Sequence, residues 1–258
     1  MCTVLLRFAP GDRWPLLLGA IRDEFADRPW DPPGRHWDGA WADLIGGRDR
    51  LAGGTWLAVD PTPGNPGVAA LLNGLRRPPP PSGTTRPTRG TLALEALASD
   101  WRPTPEGSVD YDGFHLLTAR LDRVDVWSWD GETFAHNRLP PGDHILVNLG
   151  IDTEADPLVP HFEPLLAATP TPPLGRGALS GAAWAGWITL LDGDGLDPAD
   201  PRALIVRREI EGRTYASTSA SLVALSRDHT RYDFNPEPDV VERWKEVGSH
   251  ERSASSTA

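Results

Sequence analysis

The chain has very little cysteine: Cys2 is the only one among 258 residues, so no intrachain disulfide can form. A protein without disulfides is typical of a reducing compartment, and we expect a cytoplasmic location. Arg7, Pro10 and Asp12 interrupt the first apolar segment, which therefore does not resemble a signal peptide. The sequence also lacks a run of about 18 apolar residues, so we expect no integral membrane segment.

Basic residues are in the minority. Asp and Glu number 36 against 25 Lys and Arg, which gives a formal net charge of −11. Nucleic acids and anionic membranes would be repelled by this charge at long range. The composition therefore excludes these two classes as bulk partners and leaves small molecules open.

Recognisable metal and nucleotide motifs are also missing. The chain has no zinc-ligand spacing and no nucleophile elbow, and the glycines of 46–54 do not follow a strand and open a helix. The segment "DGDGLD" at 192–197 lacks the closing glutamate of a calcium loop, so a helix end is the better interpretation. None of the seven histidines lies in a haem-attachment motif, and we expect surface or hydrogen-bonded roles for His36, His115, His136, His144, His161, His229 and His250.

Apolar and polar patterning predicts several strands and a few helices. Strands are predicted at 2–8, 15–21, 54–60, 67–73, 113–139 with a turn at Asp130, 142–150, and 202–225 with a turn at Glu211. Helices are predicted at 91–101, 161–168 and 181–195, a loop at 26–52, and a stiff proline-rich connector at 76–90. This order predicts one layered α+β domain over residues 1–246, followed by a disordered polar tail at 247–258.

Cys2 stands at the start of the first predicted strand, and the residues allow two interpretations of it. It is either a small hydrophobe of the core or a nucleophile. If Met1 is removed, the thiol and a free α-amino group belong to the same residue, and an α-amino pKa of roughly 7.7–8.0 suits a general base at neutral pH.

The stretch "AIRDEF" at 20–25 concentrates charge after an apolar run. In a strand, Arg22 and Glu24 point to one face and Asp23 to the other. An arginine beside Cys2 would favour the thiolate, and a carboxylate could hold an ammonium group. Ordinary surface charges at the end of a strand are the alternative. Four tryptophans pose a similar choice between a pocket for an apolar group and core packing: Trp30, Trp37, Trp41 and Trp56.

The order and spacing of "MCTVLLRF", "LLLGAIRDEFADRP", "GGTWLAVD" and "GVAALLNGLRRP" resemble those of the NRDE-motif family. This group contains the Transport and Golgi organisation protein 2 homologues. The resemblance is strong over residues 1–100 and weaker to about residue 235.

The resemblance implies a four-layer αββα sandwich like that of N-terminal nucleophile hydrolases, with relatives among the choloylglycine hydrolases and penicillin acylases. It also implies that Cys2 is the nucleophile and that Arg22 and Asp23 position it. Asn73 then matches an oxyanion-hole residue, and Asn148 a second residue that orients the substrate or the nucleophile. We expect Glu24, Trp56 and Thr218 on the substrate side.

Two positions depart from the family pattern. Ile21 stands where the motif has asparagine, and Thr218 stands in "YASTSASLVAL" where the family commonly has arginine. The positive charge that this arginine would supply is therefore either absent or comes from another residue such as Arg213.

The sequence leads to two main functional hypotheses. The first is a hydrolase or acyltransferase that acts on an amide, thioester or other acyl bond of a small molecule and needs no cofactor. The second is a haem or acyl-lipid carrier that uses the same pocket without catalysis. An inactive scaffold is a third and weaker alternative.

Overall fold

The computed structural model describes residues 2–74, 85–99, 101–175 and 177–248. The strands in these ranges are β1 (Thr3–Phe8), β2 (Leu16–Phe25), β3 (Trp30–Gly34), β4 (Ile45–Asp49), β5 (Leu57–Asp60), β6 (Gly67–Asn73), β7 (Phe114–Ala119), β8 (Val124–Trp129), β9 (Phe134–Arg138), β10 (Gly142–Val147), β11 (Gly150–Ile151), β12 (Arg207–Ile210), β13 (Arg213–Leu225), β14 (Thr230–Asn235) and β15 (Lys245–Glu246). The α-helices are α1 (Leu92–Ala98), α2 (Pro105–Ser108), α3 (Leu158–Ala168), α4 (Ser180–Trp184) and α5 (Gly186–Leu191).

The strands form two antiparallel sheets. Sheet I has the order β11-β10-β1-β2-β13-β14-β15, with β12 paired to β13, and sheet II has the order β3-β4-β5-β6-β7-β8-β9. Strand β1 lies inside sheet I, because it pairs with β10 on one side and with β2 on the other. Cys2 therefore precedes an interior strand.

Three apolar cores separate four layers. The middle core joins the facing sides of the two sheets, where Leu6 and Leu18 of sheet I pack with residues such as Val59 of sheet II. The second core joins the outer face of sheet I to α3, α4 and α5, and the third joins the outer face of sheet II to α1. The predicted αββα sandwich is confirmed.

Continuous apolar runs in the sequence follow from this layering. Successive strand residues point to opposite faces, so Leu5 packs under the helices while Leu6 packs between the sheets. Leu17 and Leu18 of β2 divide in the same way. Because both faces of each sheet are covered, a strand such as "VLL" or "LLL" is apolar throughout instead of alternating with polar residues.

The predicted loop at 26–52 is wrong, because it contains β3 and β4. Strand β3 is an edge strand, where Pro32 and Pro33 remove few ladder hydrogen bonds. In β4, a methyl group on Gly46 would lie 2.4 Å from the carbonyl oxygen of Leu57, so the glycine permits a close approach of two strands.

Three further predictions need correction. Strand β2 continues to Phe25, so the charged residues of "IRDEF" lie within it. The predicted helix 181–195 is two short helices, interrupted where Ala185 has a φ of 40° and ending at Leu191. Strand β14 has no counterpart among the predicted elements.

Two of the predicted segments are only partly included in the described residues. Residues 75–84 of the predicted connector and 249–258 of the predicted tail lie outside the described residues. Val247 packs against the core between the sheets. Within the described ranges, no helix has the length and apolar content to cross a membrane.

Candidate functional site

Cys2 is held at the edge of the core between the sheets. Its backbone nitrogen donates to Asn148 Oδ1 at 2.7 Å, and its Sγ lies 3.8 Å from the backbone carbonyl oxygen of Asp23. The residue is half-buried and packs against the core between the sheets. The thiol is therefore fixed in place, with part of its surface open to the adjacent cavity.

Burial is the main cause that raises the pKa of the Cys2 thiol above its ordinary value, and the charge of Asp23 adds to the rise. The charge of Arg22 lowers this pKa, as expected for an arginine beside the cysteine. The effect of burial is larger. The thiol is thus predominantly protonated at neutral pH and would need a base to become a nucleophile.

Arg22 is a buried cation beside Cys2. Its Nη1 donates to Thr218 Oγ1 at 2.8 Å, and its guanidinium carbon lies 4.4 Å from the ring centroid of Trp56. The hydroxyl of Thr218 in turn donates to the backbone carbonyl oxygen of Arg22 at 3.2 Å. Trp56, directly before β5 of sheet II, and Thr218 on sheet I therefore orient the guanidinium from two sides.

A register shift between Ser217 and Ser219 marks a bulge in the pairing of β13 with β2. The bulged strand bends locally and re-aims its side chains. Ser217 donates to Asp23 Oδ1 at 2.6 Å, while Thr218 contacts Arg22. Because of the bulge, the adjacent hydroxyl groups of Ser217 and Thr218 form hydrogen bonds with the adjacent charged side chains of Asp23 and Arg22, respectively.

Asp23 is a buried carboxyl group. Burial is the largest cause of its shift and raises the pKa of Asp23 to about 6. Its backbone carbonyl oxygen accepts from the hydroxyl of Tyr215 at 3.0 Å. At neutral pH the side chain is largely ionised, yet it exchanges protons far closer to pH 7 than an ordinary aspartate does.

Two asparagines connect the sheets at this point. Asn148 follows β10, and its Nδ2 donates to the backbone carbonyl oxygen of Asn73 at the end of β6. Asn73 is exposed to the cavity, and its side-chain amide makes no hydrogen bond to another described residue. This amide is available to a ligand.

These groups surround one cavity of about 170 Å³. Six of the eight predicted site residues line it: Cys2, Arg22, Asp23, Glu24, Trp56 and Asn73. Asn148 and Thr218 do not line it, but they hold Cys2 and Arg22, respectively. The structure therefore brings all eight residues into one neighbourhood.

A model of the Transport and Golgi organisation 2 family matches residues 1–162. The chain belongs to this family. The match covers the whole cavity lining, from Cys2 to Gly90, and also Asn148. Thr218 lies beyond the matched segment.

In structure, the chain is similar to penicillin V acylase from Agrobacterium tumefaciens, with 12% identity, a TM-score of 0.48, and coverage of 92% of this chain and 83% of the acylase chain. A search of curated proteins finds no match.

The departure from the family motif at Ile21 has a structural explanation. Ile21 is buried in the core between sheet I and the helices, and it does not line the cavity. The replacement of an asparagine there leaves the cavity lining unchanged. Arg213 cannot supply the positive charge that the family's arginine would provide at the position of Thr218, because it pairs with Asp27 at 2.6 Å on the surface.

Of the four tryptophans, only Trp56 lines the cavity. Trp30 packs against Trp56 with ring centroids 6.0 Å apart, in the core between the sheets. Trp37 and Trp41 pack beside α1 on the outer face of sheet II. Core packing is therefore the correct interpretation for Trp37 and Trp41, whereas Trp30 also lines a separate pocket together with Phe234.

His115 is hydrogen-bonded, as expected, but its position beside Asn148 was not predicted. On β7 it is buried, with Nδ1 2.7 Å from Ser128 Oγ and Nε2 3.1 Å from the backbone carbonyl oxygen of Asn148. Burial lowers the pKa of His115, so the ring is neutral at pH 7. A carbonyl oxygen can only accept, so Nε2 carries the proton. A histidine near the start of the otherwise mainly apolar strand "FHLLTA" was the available indication.

Arg28, Asp49, Thr88 and Arg89 also line the cavity and were not predicted. Arg28 and Asp49 form an ion pair with Nε and Oδ2 2.7 Å apart. No group of three or more His, Cys, Asp or Glu side chains in the described ranges is placed to hold a metal ion.

Proposed function

We propose that the protein is an N-terminal-cysteine hydrolase or acyltransferase that acts on an amide or other acyl bond of a small molecule. One observation carries the proposal: the nitrogen of Cys2 is held by Asn148 beside a cavity that also receives the Cys2 thiol and the unused amide of Asn73. A base, a nucleophile and an oxyanion donor thus converge on one small space.

The reaction requires cleavage of the Met1–Cys2 bond, which turns the Cys2 nitrogen into an α-amino group. This amine, in its neutral form, takes the thiol proton, and the thiolate attacks the carbonyl carbon of the substrate. The Asn73 side chain donates to the resulting oxyanion. The leaving amine or thiol then departs with the proton held by the ammonium group, and a thioester remains on Cys2.

Water or an acceptor molecule resolves the thioester. The α-amine takes a proton from the incoming nucleophile, the nucleophile adds to the carbonyl, and the thiolate leaves and recovers the proton. Asn148 keeps the amine oriented throughout, and Arg22 stabilises negative charge near the sulfur. Loss of an oxyanion donor such as Asn73 is expected to cost roughly 2.7–4 kcal/mol of transition-state stabilisation.

The alternative carrier function is less well supported by the cavity. Pockets that enclose drug-sized ligands measure about 300–1,000 Å³, and this one measures about 170 Å³. No histidine among the described residues lines it, and burial keeps the Cys2 thiol protonated. The residues therefore do not fit a haem at this position.

A matched pair of proteins tests the proposal. The chain is produced with a removable amino-terminal extension that ends directly before Cys2, and amide and thioester panels are assayed before and after its removal. We expect turnover only after removal, with loss of turnover in Cys2→Ala. Equal turnover with and without the extension, or in Cys2→Ala, would refute the mechanism.

A further inference from the structure

Among the described residues, the side chain of Arg28 is hydrogen-bonded in the wall of the cavity through its Nε atom only. Its Nε donates to Asp49 Oδ2 at 2.7 Å, while Asp49 Oδ1 accepts the backbone N–H groups of Leu51 and Ala52 at 2.9 and 3.0 Å. The two terminal nitrogens of Arg28 make no hydrogen bond to any residue in the described part of the chain. The side chain is 31% exposed, so these nitrogens are accessible from the cavity.

A second guanidinium lies in the same wall. Arg22 uses only Nη1, on Thr218, for side-chain hydrogen bonding within the described residues. Burial is the main cause that lowers the pKa of Arg22; the charges of Glu24 and Asp49 raise it, and the positive charge of Arg28 lowers it to a smaller extent. Arg22 and Arg28 are thus close enough to interact, and both would attract an anion bound between them.

Three carboxylates line the cavity: Asp23 accepts from Ser217 at 2.6 Å, and the two beside Arg28 also have hydrogen-bond partners. Asp49 satisfies Arg28 Nε and two backbone amides. Glu24 Oε1 accepts the backbone N–H of Phe25 at 2.9 Å, and Glu24 Oε2 lies 3.8 Å from Arg28 Nε, beyond hydrogen-bond distance. Neither group occupies the terminal fork of Arg28, which has the planar geometry that binds a carboxylate through two hydrogen bonds.

We propose that the ligand of this cavity carries a carboxylate, and that the terminal nitrogens of Arg28 bind it with Arg22 nearby. The inference rests on the proposed function for the identity of the reacting bond. It narrows the substrate class to small acyl compounds that bear a free carboxylate, such as N-acyl amino acids or mono-amides of dicarboxylic acids.

The experiment compares two reagents that alkylate the sulfur of Cys2. Iodoacetate carries a carboxylate, whereas iodoacetamide carries a neutral amide in its place. Cys2 is the only cysteine, so intact mass measures its modification without ambiguity. The quantity measured is the ratio of the two second-order rate constants. We expect Arg28→Gln to lower the iodoacetate to iodoacetamide ratio by about fivefold, the size of a moderate charge-pair effect.

Arg213→Gln is the matched control. It removes the same charge from an exposed arginine that pairs with Asp27 and does not line the cavity. We expect its ratio to equal that of the unaltered chain. An unchanged ratio in Arg28→Gln, or an equal fall in Arg213→Gln, would overturn the inference.

The rate with iodoacetamide reports whether the Cys2 environment survives the substitution. If Arg28→Gln does not fold, Arg28→Lys replaces it: the charge is kept and the fork is lost, so the ratio should still fall. An unchanged ratio in Arg28→Lys would then count against a bidentate site.

Labelling needs no turnover, so the two proposals fail separately. If the chain hydrolyses neutral amides as well as carboxylate-bearing ones and Arg28 has no effect on the ratio, the proposed function stands and the carboxylate site is refuted. If the chain shows no turnover but the ratio still depends on Arg28, the carboxylate site stands and the hydrolase is refuted.

Discussion

The Nε2 atom of His115 lies 3.1 Å from the backbone carbonyl oxygen of Asn148, whose side chain holds the nitrogen of Cys2. His115 belongs to sheet II, and Asn148 follows a strand of sheet I. The imidazole is fixed from behind by Ser128 at 2.7 Å. One hydrogen-bonded chain therefore runs from sheet II through Asn148 to the candidate nucleophile.

We infer that His115 is a positioning residue. His115→Phe removes the donor to Asn148 and is expected to lower turnover about tenfold or more, because small displacements of a reacting group are costly. His115→Gln places an amide N–H near the position of Nε2 and is expected to restore most of that loss. Steady-state kinetics of both variants, with thermal unfolding as a stability control, provide the measurement. Equal losses in the two variants would exclude a specific role for the hydrogen bond.

The hydroxyl of Thr218 is expected to stabilise the buried charge of Arg22. Thr218→Val keeps the shape but removes the hydrogen-bond acceptor, and it should lower the free energy of unfolding by about 1–3 kcal/mol. Thr218→Ser keeps the hydroxyl and should cost less. Urea denaturation of the two variants checks this difference, and an equally destabilised pair would show that the methyl group matters instead.

Asp23 makes stability depend on pH. A carboxyl whose folded-state pKa is raised stabilises the fold only when protonated, and this contribution is lost as pH rises through about 6. Asp23→Asn should therefore raise the free energy of unfolding at pH 8 by on the order of 1–3 kcal/mol, since one pKa unit corresponds to about 1.4 kcal/mol.

At pH 4 the same substitution should have a much smaller effect, because Asp23 is then protonated in the folded chain and still partly protonated in the unfolded chain. Urea titrations of both proteins at the two pH values give the comparison. A gain in stability that is the same at pH 4 and pH 8 would contradict the raised pKa.

Gly47 leaves space for Trp56. A methyl group at Gly47 would lie 2.3 Å from the indole ring of Trp56, which supports Arg22. Gly47→Ala should displace the ring, lower the free energy of unfolding by about 1–3 kcal/mol, and slow the alkylation of Cys2.

Gly181→Ala serves as the control for this substitution. Gly181 lies in helix α4 with no atom within 4 Å of an added methyl group, so the change should be neutral or stabilising by up to about 1 kcal/mol. Chemical denaturation and labelling kinetics measure both variants. If Gly47→Ala behaves like Gly181→Ala, Trp56 does not depend on that space.

Much of the fold could be predicted because both sheets are built from apolar strands bounded by turns. Strand β6 occupies the predicted residues 67–73, and β1 falls within the predicted 2–8. Strand β14 was not predicted, although its buried residues alternate between the polar Arg231, Asp233 and Asn235 and the core aromatics Tyr232 and Phe234. Arg231 and Asp233 are both 0% exposed and form an ion pair at 2.8 Å, while Asp233 also accepts from Ser180 and Trp184. The charged pair gives this strand the composition of an exposed segment, because charged side chains are rarely buried unless they are paired.

The candidate site, too, could be predicted from the sequence only in part. Cys2, Arg22, Asp23 and Asn73 belong to short motifs that the sequence displays directly. Arg28 and His115 depend on contacts between distant segments: Arg28 faces the cavity because β4 brings Asp49 beside it, and His115 meets Asn148 only where the two sheets face each other. No local pattern carries that information.

The distance along the chain between Cys2 and Asn148 has a consequence for biosynthesis. The acceptor that holds the Cys2 nitrogen is 146 residues downstream. At 5–20 residues per second, a ribosome needs roughly 7–30 s to reach it after Cys2 has been made. Throughout that interval β1 has no partner from β10, and the Cys2 nitrogen lacks the acceptor that holds it in the folded chain. The candidate site is therefore completed only after more than half of the chain has been synthesised.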